Sequence, residues 1–250
     1  MNDSAFSAQE RKAHVILDAE SRVQKARKII NLLGEERVRG ARRILEIGCG
    51  SGIIASALAA LGKGQIEVHA VDVEDNRTDT DDYQFHLVET AALPFEDGYF
   101  DIVVSNYVIE HVGSEQEQAV HLREIERVLD RAGVAYLGIP NKWRLVEPHY
   151  RLPLLSWFPQ ALSDRYVRLS GRGTYYDCIP LSLGQAHGML DDAKLHAHDI
   201  TLPALRETLA VEHPRSVVTR IVQRFVPDWL LALGMPIMPV YIFLLDKQRT

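Results

Sequence analysis

The sequence predicts an α/β fold with a doubly wound, mostly parallel sheet of seven strands and helical additions. Between residues 41 and 140, short apolar segments of strand-like composition alternate with helical segments. This alternation favours a parallel sheet with right-handed crossover connections. The first predicted strand also runs into a glycine turn at Gly48, Gly50 and Gly52, which leads into a helix. Doubly wound sheets bind nucleotide-like ligands at such a turn, because it lies at the carboxyl end of the first strand.

The order of the elements follows from hydrophobic periodicity. A helix precedes the sheet, because apolar residues recur at spacings of three and four up to Gly34, which provides its end. These residues are Ile16, Ala19, Val23, Ala26, Ile30 and Leu33. Strands are predicted near residues 42–47, 66–71, 83–88, 100–105, 133–139 and 194–200, with a last strand over 240–245. Helices are predicted near residues 53–61, 115–130 and 182–193, with two or more short helices between 203 and 234.

The composition is that of one globular domain. The 250 residues are 46% hydrophobic and 25% charged, which is ordinary for such a domain. Within residues 1–250 we expect an N-terminal helix over 1–40 and a cofactor-binding core over 41–140, with substrate-side additions at 141–180 and 203–235. The net charge of −6 argues against nucleic acid as a partner, since long-range attraction to phosphates needs a basic surface. The oligomeric state is left open.

The segment from Val226 to Leu245 is mostly apolar and, at about twenty residues, has the length of a membrane span. Asp228 and three prolines interrupt it, so we interpret its end as a buried strand and predict no stable membrane span. Peripheral contact with a membrane stays open. The first residues lack the cationic and apolar regions of a signal peptide, so we expect a cytoplasmic protein.

The glycine turn differs from two known phosphate-binding patterns. The dinucleotide fingerprint G-x-G-x-x-G/A does not fit, because the third small residue, counted from Gly48, is replaced by Ile53. No G-K-[ST] follows, so the turn is not a P-loop. Glu46 lies just ahead of the turn, where its carboxylate would repel a phosphate. The turn therefore favours a ligand with a cationic amino group.

Four segments that follow one another along the chain carry a family resemblance. They are Glu46–Gly52, Val68–Asp72, Glu89–Asn106, and Ile109–Val112 followed by a helix and the strand Gly133–Leu137. As an ordered set they resemble the class I S-adenosylmethionine-dependent methyltransferases, in the type 11 branch that includes enzymes of the ubiquinone pathway. The resemblance covers roughly residues 40–141. It implies a Rossmann-like methyltransferase fold, S-adenosyl-L-methionine as cofactor and methyl transfer as activity.

The resemblance assigns the residues that hold the tail and the ribose of the cofactor. Glu46 and the backbone at Gly48 and Gly50 are expected to hold the amino acid tail. Asp72 is expected to accept hydrogen bonds from both ribose hydroxyls, since an ionised carboxylate is an acceptor only. Two alternatives stay open: a strand-end carboxylate satisfied by nearby amides at Glu46, and a turn cap at Asp72.

The remaining cofactor residues follow from the same resemblance. Val73 is expected to lie against the adenine ring. Glu89 and Thr90 are also assigned to the cofactor, and Glu89 is expected to accept from the adenine amino group, although the family usually has the shorter aspartate at its position. An exposed loop acid is the alternative for Glu89. Asn106 is expected to face the transferred methyl group, with a side chain that serves a turn as the alternative.

Two histidines are predicted to be catalytic. A hydroxyl acceptor gains from a general base, and histidine suits that role near neutral pH. His111 follows Glu110 beyond the fourth strand, and His149 lies after the fifth strand. The alternatives are a hydrogen-bonded histidine at a helix start and a loop residue that shapes the pocket. Related ubiquinone-pathway enzymes carry E-x-x-E-H here, which resembles a metal site, but Tyr107 replaces the first acid, so no metal is predicted.

The acceptor is the least defined part of the prediction. We expect O-methylation of a small molecule, with a sugar or a lipid-linked compound among the candidates. Aromatic and arginine side chains in the 141–180 addition suit a lid over an anionic, ring-bearing acceptor, or else pack within the addition. They are Trp143, Arg144, Tyr150, Arg151, Trp157 and Phe158, and Arg165, Arg168 and Arg172 add positive charge nearby. N-methylation of a small amine and cofactor binding without catalysis are the alternative functions.

Overall fold

The computed structural model describes residues 19–80 and 82–248 of the chain. The strands of this part are β1 (Arg43–Ile47), β2 (Glu67–Asp72), β3 (Gln84–Leu87), β4 (Phe100–Asn106), β5 (Leu129–Pro140), β6 (Val146–Glu147), β7 (Leu152–Pro153), β8 (Leu195–Asp199) and β9 (Val240–Lys247). Seven of them form one sheet in the order β3-β2-β1-β4-β5-β9-β8. β9 runs antiparallel to the six other strands of this sheet, which all point the same way. The doubly wound, mostly parallel arrangement predicted from the sequence is confirmed.

Helices cover both faces of the sheet. They are α1 (Ala19–Leu33), α2 (Glu35–Gly40), α3 (Ile53–Gly62), α4 (Glu115–Val128), α5 (Gln160–Leu169), α6 (Leu183–Asp192), α7 (Thr201–Glu212), α8 (Val217–Phe225) and α9 (Asp228–Ala232). Buried side chains of α1, α2, α3 and α7 form a core on one face, and those of α4 and α6 form a core on the other. The central strands β1 and β4 are buried on both faces, which explains why they read as continuous apolar runs.

The N-terminal bounds of two helices follow from capping residues. Ser114 and Glu117 form a capping box at the start of α4, and Ser182 and Gln185 form one at the start of α6. In each box the serine oxygen accepts from a backbone N–H that has no partner within the helix. The cap at Ser114 fixes α4 directly after the short 3-10 turn Ile109–His111.

Some predicted boundaries differ from the structure. β5 begins at Leu129 rather than near residue 133, because α4 ends at Val128 and the chain enters the sheet at once. α7 begins at Thr201, two residues before the expected helical region. Ile16, predicted as part of the first helix, lies outside the described residues.

The apolar C-terminal segment contributes a strand to the sheet. β9 pairs with β5 on one side and β8 on the other, and its residues 241–243 are buried. Within residues 19–80 and 82–248, no helix combines the length and the apolar character that a membrane crossing needs.

Residues 141–180 have a small core of their own. β6 and β7 form a two-stranded hairpin, and α5 packs beside it. The buried residues of this core are Tyr150, Leu152, Leu155, Val167, Tyr176 and Cys178. The addition is fixed to the rest of the chain by Asn141, whose side-chain amide donates to the carbonyls of Pro236 and Met238 just before β9.

Candidate functional site

The carboxyl ends of β1, β2 and β4 border a cavity of about 1260 Å³. This volume exceeds that of a common small-molecule pocket, roughly 300–1,000 Å³, so a nucleoside and a second molecule fit together. Nine of the ten predicted site residues line the cavity: Gly48, Gly50, Asp72, Val73, Glu89, Thr90, Asn106, His111 and His149. Residues 203–235 contribute none of the lining residues; α7 packs instead on α1 and β9.

The glycine turn presents its backbone to the cavity. Gly48 and Gly50 have φ values of +69° and +53°, in the left-handed region where a Cβ atom is strained. The amide of Gly48 donates to the carbonyl of Val71 over 2.8 Å, which ties the turn to β2. A Cβ atom on Gly48 would lie 2.5 Å from Cγ2 of Val108. Glycine at position 48 therefore allows the turn to lie against both Val108 and the cavity.

Asp72 orders the turn from the end of β2. Its Oδ2 accepts from the amide of Gly50 over 2.7 Å, and its Oδ1 accepts from the amide of Val73 over 2.7 Å. Oδ1 also accepts from the amide of Glu74 over 3.5 Å, whereas Oδ2 accepts from Gly50 alone among the described residues and keeps a lone pair for a ligand hydroxyl. The two roles considered for Asp72, turn cap and ribose ligand, are thus compatible in one side chain.

Glu46 lies behind the turn and is the predicted site residue that does not line the cavity. It is 3% exposed, and its Oε2 has no hydrogen-bond partner among the described residues. Burial raises the pKa of the carboxyl from 4.5 to about 8, and the positive charge of Arg22 offsets this in part. A buried, incompletely paired carboxylate is stabilised by a cation. The unpaired oxygen of Glu46 therefore has the chemistry to pair with a cationic group.

Two cations of α1, absent from the sequence prediction, line the same cavity. They are Arg22 and Lys25. Burial lowers the pKa of both side chains, and the nearby carboxylates of Glu46 and Asp72 partly offset this for Arg22. The apolar periodicity of α1 shows which side faces the core, but it gives no sign that the helix packs on α3, the helix that follows the glycine turn. Tertiary packing alone brings these charges to the site.

The ends of β2 and β3 supply the expected adenine region. Val73, 46% exposed, follows Asp72, and Glu89 lies two residues after the end of β3. Thr90 accepts from the amide of Ala92 through its hydroxyl over 3.2 Å, which forms a small turn. An apolar side chain and a carboxylate acceptor therefore lie at one edge of the cavity.

The two predicted catalytic histidines meet at the cavity. His111 ends the 3-10 turn after β4, and His149 lies in the loop between β6 and β7. Their ring centroids are 5.6 Å apart, with the rings nearly perpendicular.

Asn106, at the end of β4, lies close to Gly138 of β5. A Cβ atom on Gly138 would be 2.6 Å from Oδ1 of Asn106. A third histidine, His121, also lines the cavity; burial lowers its pKa to about 4, so it stays neutral.

The aromatic side chains of the 141–180 addition mostly pack within it. Tyr150 is buried, and the rings of Trp143 and Trp157 contact each other with centroids 5.5 Å apart. Of the residues proposed as a lid, Arg144 and Arg151 line the cavity. These two arginines therefore border the cavity, whereas Tyr150, Trp143 and Trp157 pack within the addition.

A buried ion pair fixes the loop that carries His149. Arg144 and Glu147 are 2.6 Å apart, with side chains 3% and 0% exposed. The other oxygen of Glu147 accepts from the amide of Tyr150 over 2.7 Å. Hence the backbone on both sides of His149 is held by a single carboxylate.

Cys178 is a further residue near the site that the sequence did not predict. Its Sγ lies 3.8 Å from Nδ1 of His111, and it lines a second cavity of about 440 Å³ that His111 also borders. The sequence offered no signal for this contact, because 67 positions separate the two residues.

Comparisons with known proteins agree with this geometry. Residues 45–137 match the methyltransferase domain family. Over 77 residues the chain is 39% identical to the ribosomal protein L11 methyltransferase of Ralstonia pickettii, which covers 29% of this chain and 25% of that protein. Over 147 residues it is 29% identical to the ubiquinone biosynthesis O-methyltransferase of Ruegeria pomeroyi, covering 53% and 56%. The match thus spans less than two thirds of either relative.

A solved structure shows the same fold. An S-adenosylmethionine-dependent methyltransferase from Mesorhizobium loti superposes with a TM-score of 0.57 over 93% of this chain and all of that one, at 14% identity. One of these two relatives is named for a ribosomal protein and the other for ubiquinone biosynthesis, so they do not indicate a single kind of acceptor. Residues 45–137 thus match a methyltransferase domain, and the chain has the fold of S-adenosylmethionine-dependent methyltransferases, which indicates S-adenosylmethionine as the cofactor.

Proposed function

We propose that the chain transfers a methyl group from S-adenosylmethionine to a hydroxyl of a small-molecule acceptor, such as a sugar or a lipid-linked compound. The observation that carries the proposal is the meeting of His111 and His149 in the same cavity as Asp72 and the glycine turn. One cavity then holds the cofactor and has imidazoles available for the acceptor. The similarity to a ubiquinone biosynthesis O-methyltransferase supports the choice of oxygen.

The cofactor would be held by charge pairing at its tail and by hydrogen bonds at its ribose. Glu46 would pair with the ammonium group of the cofactor's tail, and Arg22 and Lys25 would pair with the carboxylate of that tail, because opposite charges attract. Asp72 would accept from the ribose hydroxyls. Val73 would lie on the adenine ring. When bound, the cofactor supplies a methyl group on a sulfonium, which is a good leaving group.

The chain's own contribution to transfer is alignment and removal of a proton. Positioning the acceptor in line with the methyl carbon supplies much of the rate, since the reaction becomes effectively unimolecular. His111 and His149 would promote loss of the hydroxyl proton. The exposed Arg151, which also lines the cavity, favours an acceptor with a phosphate or a carboxylate.

The division of labour follows the chain. We assign the core over residues 41–140 to the cofactor and the addition over 141–180 to the acceptor, within a single domain. His149, Arg144 and Arg151 support this assignment, because all three line the cavity from the addition.

The test is an acceptor panel with isotopically labelled methyl groups. Each hydroxylated sugar, lipid-linked sugar or phenol is paired with an analogue in which an amine replaces the hydroxyl, and an RNA sample is included. We expect label on at least one hydroxyl compound and none on its amine partner. Label only on amines would indicate N-methylation. Cofactor binding without transfer to any compound would indicate a binding protein, and both results would contradict the proposal.

A further inference from the structure

Three side chains of metal-ligand type from distant parts of the chain meet beside the cavity. They are His111, His149 and Cys178, and their donor atoms lie within 4.8 Å of one another. Nδ1 of His111 is 3.8 Å from Sγ of Cys178. In a tetrahedral zinc site, with Zn–S near 2.3 Å and Zn–N near 2.0–2.1 Å, a nitrogen and a sulfur ligand lie roughly 3.6 Å apart. The cluster thus has nearly the dimensions of a zinc site, and shifts on the order of 1 Å would close it.

Hydrogen bonds hold the His111 and Cys178 segments together. The amide of Ile179 donates to the carbonyl of Glu110 over 2.8 Å. The side-chain amide of the fully buried Gln118 donates to the carbonyls of Ile109 and Ile179, over 3.1 and 2.8 Å. These bonds lie immediately next to the two donor residues, so their relative position is fixed by backbone.

A second set of hydrogen bonds joins the His149 segment to the same place. The hydroxyl of Tyr150 donates to Oδ1 of Asp177 over 2.8 Å, and it lies 3.0 Å from the carbonyl of Tyr175. Tyr150 follows His149 directly, and Asp177 precedes Cys178 directly. All three donor residues are therefore positioned before any ion binds, which lowers the ordering cost of binding.

A buried carboxyl group lies beside the cluster. Glu110 is 1% exposed, and neither of its carboxylate oxygens has a hydrogen-bond partner among the described residues. Its Oε1 lies 3.8 Å from Nε2 of His111. Carboxylates commonly lie behind metal-bound histidines, where they orient the ring and increase its basicity. Glu110 occupies that position relative to His111.

We propose that His111, His149 and Cys178 bind one Zn²⁺ ion, with the fourth coordination position open to the cavity. A thiolate with two imidazoles suits zinc better than magnesium or calcium, which prefer oxygen ligands. Three protein ligands with an open position are typical of catalytic rather than structural zinc sites. The open position faces the cavity, because both histidines line it. The sequence alone offers only two ligands, Glu110 and His111, from which no metal is predicted.

The consequence for catalysis rests on the proposed function, whereas metal binding does not. An acceptor hydroxyl at the open position would have a lowered pKa and release its proton to solvent. The acceptor oxygen would then form a bond to the methyl carbon while the carbon–sulfur bond breaks, its electron pair going to sulfur. The two histidines would then promote proton loss indirectly, by holding the ion that lowers the pKa of the acceptor hydroxyl.

The test measures metal binding on the full chain without cofactor or acceptor. A second cluster, His196, His198 and Asp246, lies exposed on β8 and β9 and would also attract metal, so the double variant H196A/H198A serves as background. The chain is stripped with chelator and titrated with Zn²⁺, and then separately with Co²⁺. We expect one Zn²⁺ per chain and a thiolate-to-cobalt charge-transfer absorption band. C178S in the same background should abolish the band and weaken zinc binding at least tenfold.

Two results would overturn the proposal. One is a background chain that takes up no zinc at micromolar free metal or shows no thiolate–cobalt band; this result does not depend on whether any ligand variant folds. The other is a folded C178S chain with unchanged zinc affinity, since the cysteine contact would then be an ordinary thiol hydrogen bond.

A separate measurement distinguishes this proposal from methyl transfer itself. With an acceptor from the panel, the stripped chain should bind the cofactor normally but transfer methyl groups at least tenfold more slowly, and added Zn²⁺ should restore the rate. Full activity in a chain shown to be metal-free would leave the methyltransferase proposal intact and reject a catalytic role for the ion. Zinc binding without activity on any acceptor would leave the metal site intact and contradict the methyltransferase proposal.

Discussion

The two ends of the cavity, which we assign to the cofactor and to the acceptor in our proposal, are built in different ways. At the cofactor end, the glycine turn follows β1 and Asp72 ends β2. These two strands are parallel neighbours, with Ile47 paired to Val71. At the acceptor end, His111, His149 and Cys178 come from three loops that no strand pairing connects. The first end is thus a product of regular sheet geometry. The second depends on how an irregular addition packs.

The two ends also differ in what keeps their polar groups satisfied. Asp72 is bonded to backbone amides of its own strand end and of the adjacent turn. The loop of His149 depends on the buried pair of Arg144 and Glu147. Breaking a buried pair leaves an uncompensated charge, so the acceptor end is the more sensitive to a single change.

The largest expected effect concerns the histidines of the acceptor end. His149→Gln or His111→Gln should lower methyl transfer by about 10²–10⁴-fold, because each removes an imidazole that acts on the acceptor proton. Cofactor affinity, measured by calorimetry, should not change. His213→Gln, at the exposed end of α7, is the control and should keep full activity. Unchanged rates in both site variants would remove these residues from the mechanism.

The next effect tests the ion pair beneath His149. Glu147→Ala should cost about 3–5 kcal/mol of unfolding free energy, because Arg144 would stay buried without its partner. Glu35→Ala is the matched control: it breaks an exposed pair with Arg39, which should cost about 0–1 kcal/mol. Denaturant unfolding gives both values. Equal losses of unfolding free energy in the two variants would contradict the prediction that the buried ion pair is the more sensitive of the two.

At the cofactor end, the turn itself should be intolerant of a side chain. Gly48→Ala should cost about 2–4 kcal/mol of stability and weaken cofactor binding, because it combines a strained positive φ with an overlap on Val108. Gly64→Ala has a similar φ of +81° but meets no atom within 4 Å. This control should lose only about 1–2 kcal/mol and bind cofactor normally. A loss of binding in both would point to general unfolding.

The smallest effect is a pH dependence at the same end. The pKa of Glu46 is raised to about 8 by burial, so near neutral pH the carboxyl of the empty site carries its proton. Binding a cationic amino group favours the ionised form, so the proton must leave. Affinity for the cofactor should therefore rise with pH, up to about tenfold per unit between about pH 6 and 8, and then level off. Glu46→Gln should flatten this dependence in calorimetric titrations; a slope that persists would exclude Glu46 as its source.

Much of the fold follows from the sequence, because its signals are local. Alternating apolar and helical segments fix the strands and helices within a few residues, and the glycine turn after β1 marks where a ligand approaches. Even the final strand could be recognised, since the prolines ahead of it disfavour a long helix and its own residues are β-branched and aromatic. The predicted boundaries differ from those of the structure where two elements join without a loop, as at Val128 and Leu129.

Tertiary structure alone decided the rest of the site. Arg22 reaches the cavity because α1 packs on α3, and Cys178 reaches His111 because Gln118 and Tyr150 join separate loops. No periodicity or spacing encodes such contacts, since they arise from the packing of irregular segments far apart in the chain. Strand pairing repeats along the chain and can be read from it. The meeting of loops depends on side-chain packing and hydrogen bonds that exist only in the folded protein.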